Sequence, residues 1–287
     1  LTLTCTSDTL WQHGLLDRLQ PGIDHAILGC ARDGDGWAIL MLDVSEHILT
    51  GEPFSTAEVE SLLDTLATLH ATFWQAPELA NPALGLGDTS SLIETFLPAT
   101  AKRTPSTTSA LPQMLLDGSA LLQEMVEPDV ADILGQLLAD PQPLCVALSR
   151  SPSTLVHGDY RAQNIGIAGQ PAPQIVLLDW QLAAYGAATL DLAWLLSMPN
   201  LQLSPFSTSS ASGYYRQRLA ERLGARFDES WWHSLLALGM LANVMRNGCF
   251  KAWFIVNALQ DDEIRLAIER STLAAFNDQV RAAMQWL

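Results

Sequence analysis

The chain has 287 residues, 48% hydrophobic and 16% charged, so it can bury a large core and is neither a disordered tail nor a disulfide-stapled miniprotein. Lys plus Arg is 15 against 31 Asp plus Glu, and the formal charge of −16 repels phosphate backbones and anionic lipid, which speaks against nucleic-acid and membrane partners. Cys5, Cys30, Cys145 and Cys249 form no C-x-x-C pair, and no apolar run approaches the roughly 20 residues of a membrane span, so the expectation is a soluble cytoplasmic chain with reduced thiols.

The chain opens on LTLTCT, the alternation of an interrupted strand, and begins with Leu1 rather than Met; a missing N-terminal segment is the expectation. Leu10–Leu19 then spaces its apolar residues as a helix does, and Pro21-Gly22 stops it. His25–Ala31 and Trp37–Val44 read as two strands, and the Asp-Gly steps between them signal a hairpin. Ser55 and Glu58 form a capping-box pattern that opens a helix running to about Trp74. Residues 77–113 carry many turn formers, with weak helical pattern over Leu92–Lys102 and a loop between Thr104 and Pro112. Leu115–Leu138 reads as helix broken at Pro128 and closed by Pro141 and Pro143. After Thr154–Asn200, Ser204–Ser212 reads as loop, and Gly213–Leu223, Glu229–Lys251 and Asp261–Met284 as helices. A hairpin-bearing part followed by a long helical part gives an α+β class, with a boundary near Val44–Thr50.

Chemistry concentrates in 154–181. His157, Asp159 and Asn164 stand in the order His-x-Asp-x-x-x-x-Asn, and the apolar run Ile175–Leu178 ends in Asp179-Trp180-Gln181. That spacing is the kinase pattern of a catalytic Asp, a metal-binding Asn and a downstream metal-binding Asp. Two short β-prone runs flank the turn-rich 168–173. Folded as an antiparallel hairpin about Pro171, their paired positions sum to about 342, which sets Asn164 opposite position 178, one residue from Asp179. An amide oxygen and a carboxylate then converge where Mg²⁺ carrying nucleotide phosphates would sit, since hard cations take oxygen ligands. Asp159, five residues upstream of Asn164, reaches the same space as a base for an incoming hydroxyl.

HGDYRAQNI, LLDWQLAAYG and LDLAWLL together resemble the aminoglycoside phosphotransferase and choline-kinase-like group of small-molecule kinases. The resemblance extends to WAILMLDV (Trp37–Val44), LATLHATFW (Leu66–Trp74) and Trp231–Lys251, although only 155–196 is specific. It implies a protein-kinase-like two-lobe fold, with a partial small lobe over 1–46, a hinge near 41–46 and a helical lobe over 47–287. It also implies an ATP-dependent phosphotransferase acting on the hydroxyl of a small molecule, with ATP and Mg²⁺ as cofactors. Asp159 would be the base, Asn164 and Asp179 the metal ligands, and His157 and Asp191 structural supports of the loop. Met41, Asp43 and Val44 would border the nucleotide base at the hinge. Arg161 reads as a loop residue, and His70 as a satisfied core histidine. Acceptors would lie near Asp159, Arg161 and the helices after Tyr214, and the acidic charge leans toward a cationic one.

Two expected parts are missing. The only lysines, Lys102 and Lys251, lie well past the hinge, and no Gly-rich phosphate loop precedes Trp37. No Glu occurs before Glu46, so the first helix lacks its usual ion-pairing carboxylate unless Asp8 or Asp17 substitutes. Small-lobe strands upstream of Leu1 would explain this, and the chain alone would then be a poor catalyst. The alternative is a catalytically impaired nucleotide-binding pseudokinase or scaffold.

Overall fold

The computed structural model describes residues 6–34, 36–50, 53–103, 109–168 and 174–287. The opening strand pattern up to Cys5, Asp35 in the first hairpin turn, the Pro171 turn and most of the Thr104–Pro112 loop lie outside the described residues. Among those residues the fold is α+β, with much helix and short strands.

The first helix, α1, spans Thr6–Gln12 rather than Leu10–Leu19, and Leu16–Arg18 forms a separate 3₁₀ turn. Gly14, at φ +65°, supplies the left-handed residue that ends α1, and the chain folds back so that Leu10, Leu15 and Leu16 are all buried. β1 (Ile23–Asp24) follows, then β2 (Ile27–Asp33) and β3 (Gly36–Met41), the expected antiparallel hairpin, with Asp33 opposite Gly36. In α2 (Thr56–Thr72) the capping box closes as its residues dictate. Ser55 Oγ accepts from the Glu58 amide at 3.3 Å, and the Glu58 carboxylate accepts from the Ser55 amide at 2.7 Å. Its buried stripe of Val59, Leu62, Leu63, Leu66 and Leu69 also carries His70 inward. Each such leucine contributes about 1.5–3 kcal/mol by leaving water.

After β4 (Gly87–Asp88) come α3 (Thr89–Glu94), α4 (Pro98–Arg103), α5 (Leu111–Met125), α6 (Pro128–Ala139) and α7 (Gln142–Ser149). Pro128 divides α5 from α6 as its chemistry requires, with Glu127 held extended before it. The helix closes ahead of Pro141 and Pro143 as expected, with α6 ending at Ala139, and the same prolines then open α7, because proline in a first helical turn forfeits no intrahelical bond. β5 (Ser153–Val156), β6 (Ile165–Ala168), β7 (Gln174–Leu177) and β8 (Ala184–Ala187) lead into α8 (Thr189–Leu196) and α9 (Pro199–Gln202). α10 (Thr208–Leu223) begins inside the expected loop because Ser207 caps it, its Oγ accepting from the Ser210 amide at 3.0 Å. α11 (Trp232–Asn257) and α12 (Glu263–Met284) complete the chain.

The chain forms two compact units. Residues 1–88 with 152–228 hold every strand and α1, α2, α8, α9 and α10. There β6 and β7 pair antiparallel in the register Ile165↔Leu177 to Ala168↔Gln174, every pair summing to 342, and β1 adds parallel to β7 through Ile23↔Ile175. β8 pairs antiparallel with β5 and parallel with β4. Residues 89–151 with 229–287 form an all-helical unit around α11. Gly118 lets α5 and α11 touch backbone to backbone, since a Cβ there would stand 2.0 Å from the Cys249 carbonyl oxygen.

Candidate active site

Leu155 and Val156, buried at the end of β5, deliver the chain into His157-Gly158-Asp159. Gly158 sits at φ +83°, and a Cβ on it would stand 2.1 Å from the Leu182 carbonyl oxygen. No other residue fits that position, which accounts for glycine where protein kinases carry arginine. His157 is fully buried, with Nε2 2.9 Å from the Leu178 carbonyl and Nδ1 3.3 Å from the Asp159 amide. These partners assign the neutral Nε2–H tautomer, since Nδ1 must accept. Its ring packs at 4.7 Å against Trp180, whose Nε1 donates to the Leu177 carbonyl.

Burial pushes the His157 pKa below 6.5, outweighing the nearby Asp191 and Asp159 carboxylates, which pull it up. Below about pH 6.5 the unfolded chain takes a proton on this ring that the native loop refuses, so stability falls as pH drops from 6.5 toward the depressed native value. One proton taken up only by the unfolded chain gives a slope of at most about 1.4 kcal/mol per pH unit below about pH 6.5. Urea unfolding between about pH 7.5 and 5.5 should show this slope in the wild type and lose it in His157→Gln; equal slopes would discharge His157 from the role.

Asp191 anchors the loop from α8. Completely buried, it accepts from the His157 amide at 2.6 Å and the Gly158 amide at 2.8 Å. His70 of α2 reaches the same carboxylate through Nε2 at 3.2 Å, and its Nδ1 lies 2.6 Å from the hydroxyl of buried Tyr215 on α10. Burial would raise the Asp191 pKa, but the His70 hydrogen bond and the His157 ring and amide hold it below the ordinary carboxylate value.

Asp159 and Asn164 are brought together. The Asn164 amide nitrogen donates to the Asp159 backbone carbonyl at 2.9 Å and to Asp159 Oδ2 at 2.8 Å. Arg161 Nε stands 3.1 Å from the same Oδ2. Asp179 follows the hairpin end, where the Leu178 amide donates to the Asn164 carbonyl at 2.8 Å. It adopts φ +61°, ψ +62°, and its Oδ2 accepts from Gln181 Nε2 at 3.1 Å. With Asn164 Nδ2 spent on Asp159, its Oδ1 is the atom left for a cation. Asn164 and Asp179 thus supply oxygen donors alone, a set that suits Mg²⁺ completed by water and phosphate oxygens. Among the described residues no cluster of three or more His, Cys, Asp or Glu could hold a metal by itself, so a cage of protein ligands is not on offer.

The hinge residues lie outside this hydrogen-bonded group. Met41 ends β3, about a third exposed, and the Leu42 amide donates to the Ala26 carbonyl. Asp43 accepts from the Ser45 hydroxyl and, at 3.0 Å, from the Ser45 amide, bonds that hold its carboxyl below the usual range. Its side chain is thereby occupied within its own turn. Val44 accepts from the His47 amide, and the following segment joins β6 through Leu49 N to Ile165 O at 2.9 Å.

Of the two candidate acids, Asp17 is exposed, whereas Asp8 in α1 is buried, with Oδ1 lacking a hydrogen-bond partner among the described residues. α1 packs against β2 and the turn Trp180–Leu182 that follows Asp179. Sequence gives no sign of Tyr215, because it meets the site only through its contact with His70, 145 positions away.

A His-Gly-Asp loop bonded to Asn164, at the start of a hairpin whose other strand leads into Asp179, sits in an α+β fold. The chain belongs to the phosphotransferase enzyme family, whose model matches residues 13–231. No curated protein matches it in sequence. In structure it is similar to a microcompartment-associated aminopropanol kinase (13% identity, TM-score 0.56, covering 100% of this chain and 85% of the other). It is similar also to an aminoglycoside phosphotransferase from Alicyclobacillus acidocaldarius (17%, TM-score 0.51, 100% and 85%). A third neighbour is the GDP complex of aminoglycoside 2'-phosphotransferase-IIIa (13%, TM-score 0.52, 97% and 82%). The structural similarity, rather than these low identities, shows a shared fold, the protein-kinase-like fold of the small-molecule kinases. No helix among the described residues is long and apolar enough to cross a membrane.

Proposed function

We propose that the protein transfers the γ-phosphate of a nucleoside triphosphate, ATP in the first instance, to a hydroxyl of a small molecule. The observation that carries this reading is the Asp159 carboxylate held by Asn164, whose backbone carbonyl accepts from Leu178, the residue before Asp179. Asp159 would accept the acceptor's proton late, as its oxygen attacks phosphorus. Asn164 and Asp179 would hold Mg²⁺, which when bound neutralises charge on the phosphates. Positioning and electrostatics then supply most of the rate. Residues 1–46 serve as small-lobe elements, with the nucleotide base against the backbone of 41–44. The site belongs in the cytoplasm, where nucleoside triphosphates are supplied.

Amino-alcohols and amino sugars are the first acceptors to try, because the chain is strongly acidic and its structural neighbours include an aminopropanol kinase and aminoglycoside phosphotransferases. Incubation with ATP or GTP, Mg²⁺ and such a panel, followed by phosphorus NMR, should reveal a new phosphate monoester. Nucleotide binding with no ester from any acceptor would overturn the transferase reading in favour of a nucleotide-binding module.

A further inference from the structure

The all-helical unit holds a cavity of its own, where the ends of α5 and α11 meet the middle of α12. Its volume is about 570 Å³. Pockets of about 300–1,000 Å³ are the size that takes a small organic ligand. The walls are apolar: Met125 from α5, Ile255 and Val256 from α11, and Leu273 and Ala274 from α12. Ile255 and Leu273 are buried, whereas Val256 leaves 39% of its surface to solvent. Covering these walls with an apolar chain removes that surface from water, which favours binding.

The charged group lining the cavity is the guanidinium of Arg270. Among the described residues it forms no ion pair and no side-chain hydrogen bond, and helical spacing gives the reason. The positions three and four residues away on α12 are Leu266, Ala267, Leu273 and Ala274, none of them an acid. Other cations of this unit are committed, Lys251 to Glu269 and Arg281 to Glu127 and Asp129. The polar neighbours of Arg270 are occupied too. Asn277 Oδ1 accepts from the Glu127 amide at 2.9 Å, and Asn277 Nδ2 donates to the Ala274 carbonyl at 3.2 Å. Gln260 Nε2 donates to the Ile255 and Val256 carbonyls, and the Ala258 and Leu259 amides donate to that of Phe254. The last carbonyls of α11 therefore already have donors, and an anion here meets capped rather than bare acceptors.

We propose that this cavity binds an anionic amphiphile, a carboxylate on an apolar chain, with the chain against Met125, Ile255, Val256 and Leu273 and the carboxylate on Arg270. Charge complementarity selects the class. In a chain of formal charge −16 an anion needs a cation that no acid has taken, and Arg270 is such a cation beside apolar walls. A guanidinium takes a carboxylate through two parallel N–H bonds. A cationic amphiphile would meet the same walls with its charge against the guanidinium.

Titration calorimetry and NMR of methyl-labelled methionines, both on the full chain, test this with decanoate, octanoate and decyltrimethylammonium as probes. Decanoate should bind and shift the Met125 methyl resonance, which Met125→Leu assigns. Each methylene removed should weaken binding about fourfold, so octanoate should bind about 15-fold more weakly. Arg270→Gln should weaken decanoate at least about tenfold, and Arg270→Lys, which keeps the charge, should recover part of that loss. Ala274→Trp, at an exposed position of α12, should fill the cavity and remove the Met125 shift. Urea midpoints near that of the wild type show that these variants are folded. No decanoate binding at about 1 mM overturns the proposal. So does an equal effect of decyltrimethylammonium on the Met125 methyl, or decanoate affinity unchanged in Arg270→Gln. Heat from decanoate without a Met125 shift overturns it as well, since binding then lies elsewhere.

Discussion

Asp179→Ala is expected to abolish magnesium-dependent nucleotide binding, whereas Asp159→Asn is expected to preserve binding and lower turnover about 10²–10⁴-fold. The two residues are both carboxylates near one hairpin end, but their surroundings differ. Asp179 has Oδ2 bonded to Gln181, and Oδ1 accepts no hydrogen bond among the described residues, which suits a charged metal ligand; replacing it removes charge that Asn164, a neutral amide, cannot supply. Asp159 has Oδ2 held by Asn164 and Arg161. An asparagine there preserves size and can accept through its oxygen, but it cannot take a proton. Calorimetry with a non-hydrolysable ATP analogue and Mg²⁺ separates the roles, and equal loss of binding in the two variants would show the assignment of base and ligand to be wrong.

Asp191→Ala, which removes the anchor that α8 gives the catalytic loop, is expected to destabilise the protein by about 3–5 kcal/mol. Three donors converge on its carboxylate: the amides of His157 and Gly158 and His70 Nε2. Alanine would leave all three buried with no acceptor, and each lost partner costs about 1–3 kcal/mol before relaxation. A domain stable by roughly 5–15 kcal/mol survives this narrowly. Should the alanine variant fail to accumulate, Asp191→Asn keeps one acceptor oxygen and should show an intermediate loss. Urea midpoints measure both, and a loss below about 1 kcal/mol in the alanine variant would show that the loop does not depend on this anchor.

The β6–β7 register was legible in the sequence because a hairpin between two short apolar runs leaves few alternatives, and a one-residue slip would turn Ile165, Ile175 and Leu177 away from the core. The Ser55 cap was legible for a similar local reason. Where the reading failed, local signals had two meanings. Gly14 ends a helix that Leu10–Leu19 seemed to continue, and Pro141 and Pro143, which stop one helix as expected, also open a further one, α7. The two-residue strands β1 and β4 could not be found, since each exists only by pairing with a distant strand. In the site, residue types and spacing pointed to Asp159, Asn164 and Asp179, but nothing local joins Tyr215 to His70, or His70 to Asp191 across 121 positions. Arg161 is the instructive case: it is two residues from the base in sequence, but its bearing on that base depends on the fold of the loop.

The left-handed backbone of Asp179 sets the function of this position against its stability. At φ +61° an L-residue carries a cost that glycine escapes, about 1 kcal/mol or more. Glycine at 179 would therefore relax the turn while deleting the proposed metal ligand. Inert descendants of this protein would be at least as durable as active ones, and a screen that rewards only soluble expression would enrich for them. Any library that randomises 174–181 needs a selection for turnover, because folding yield by itself will lead away from the catalyst.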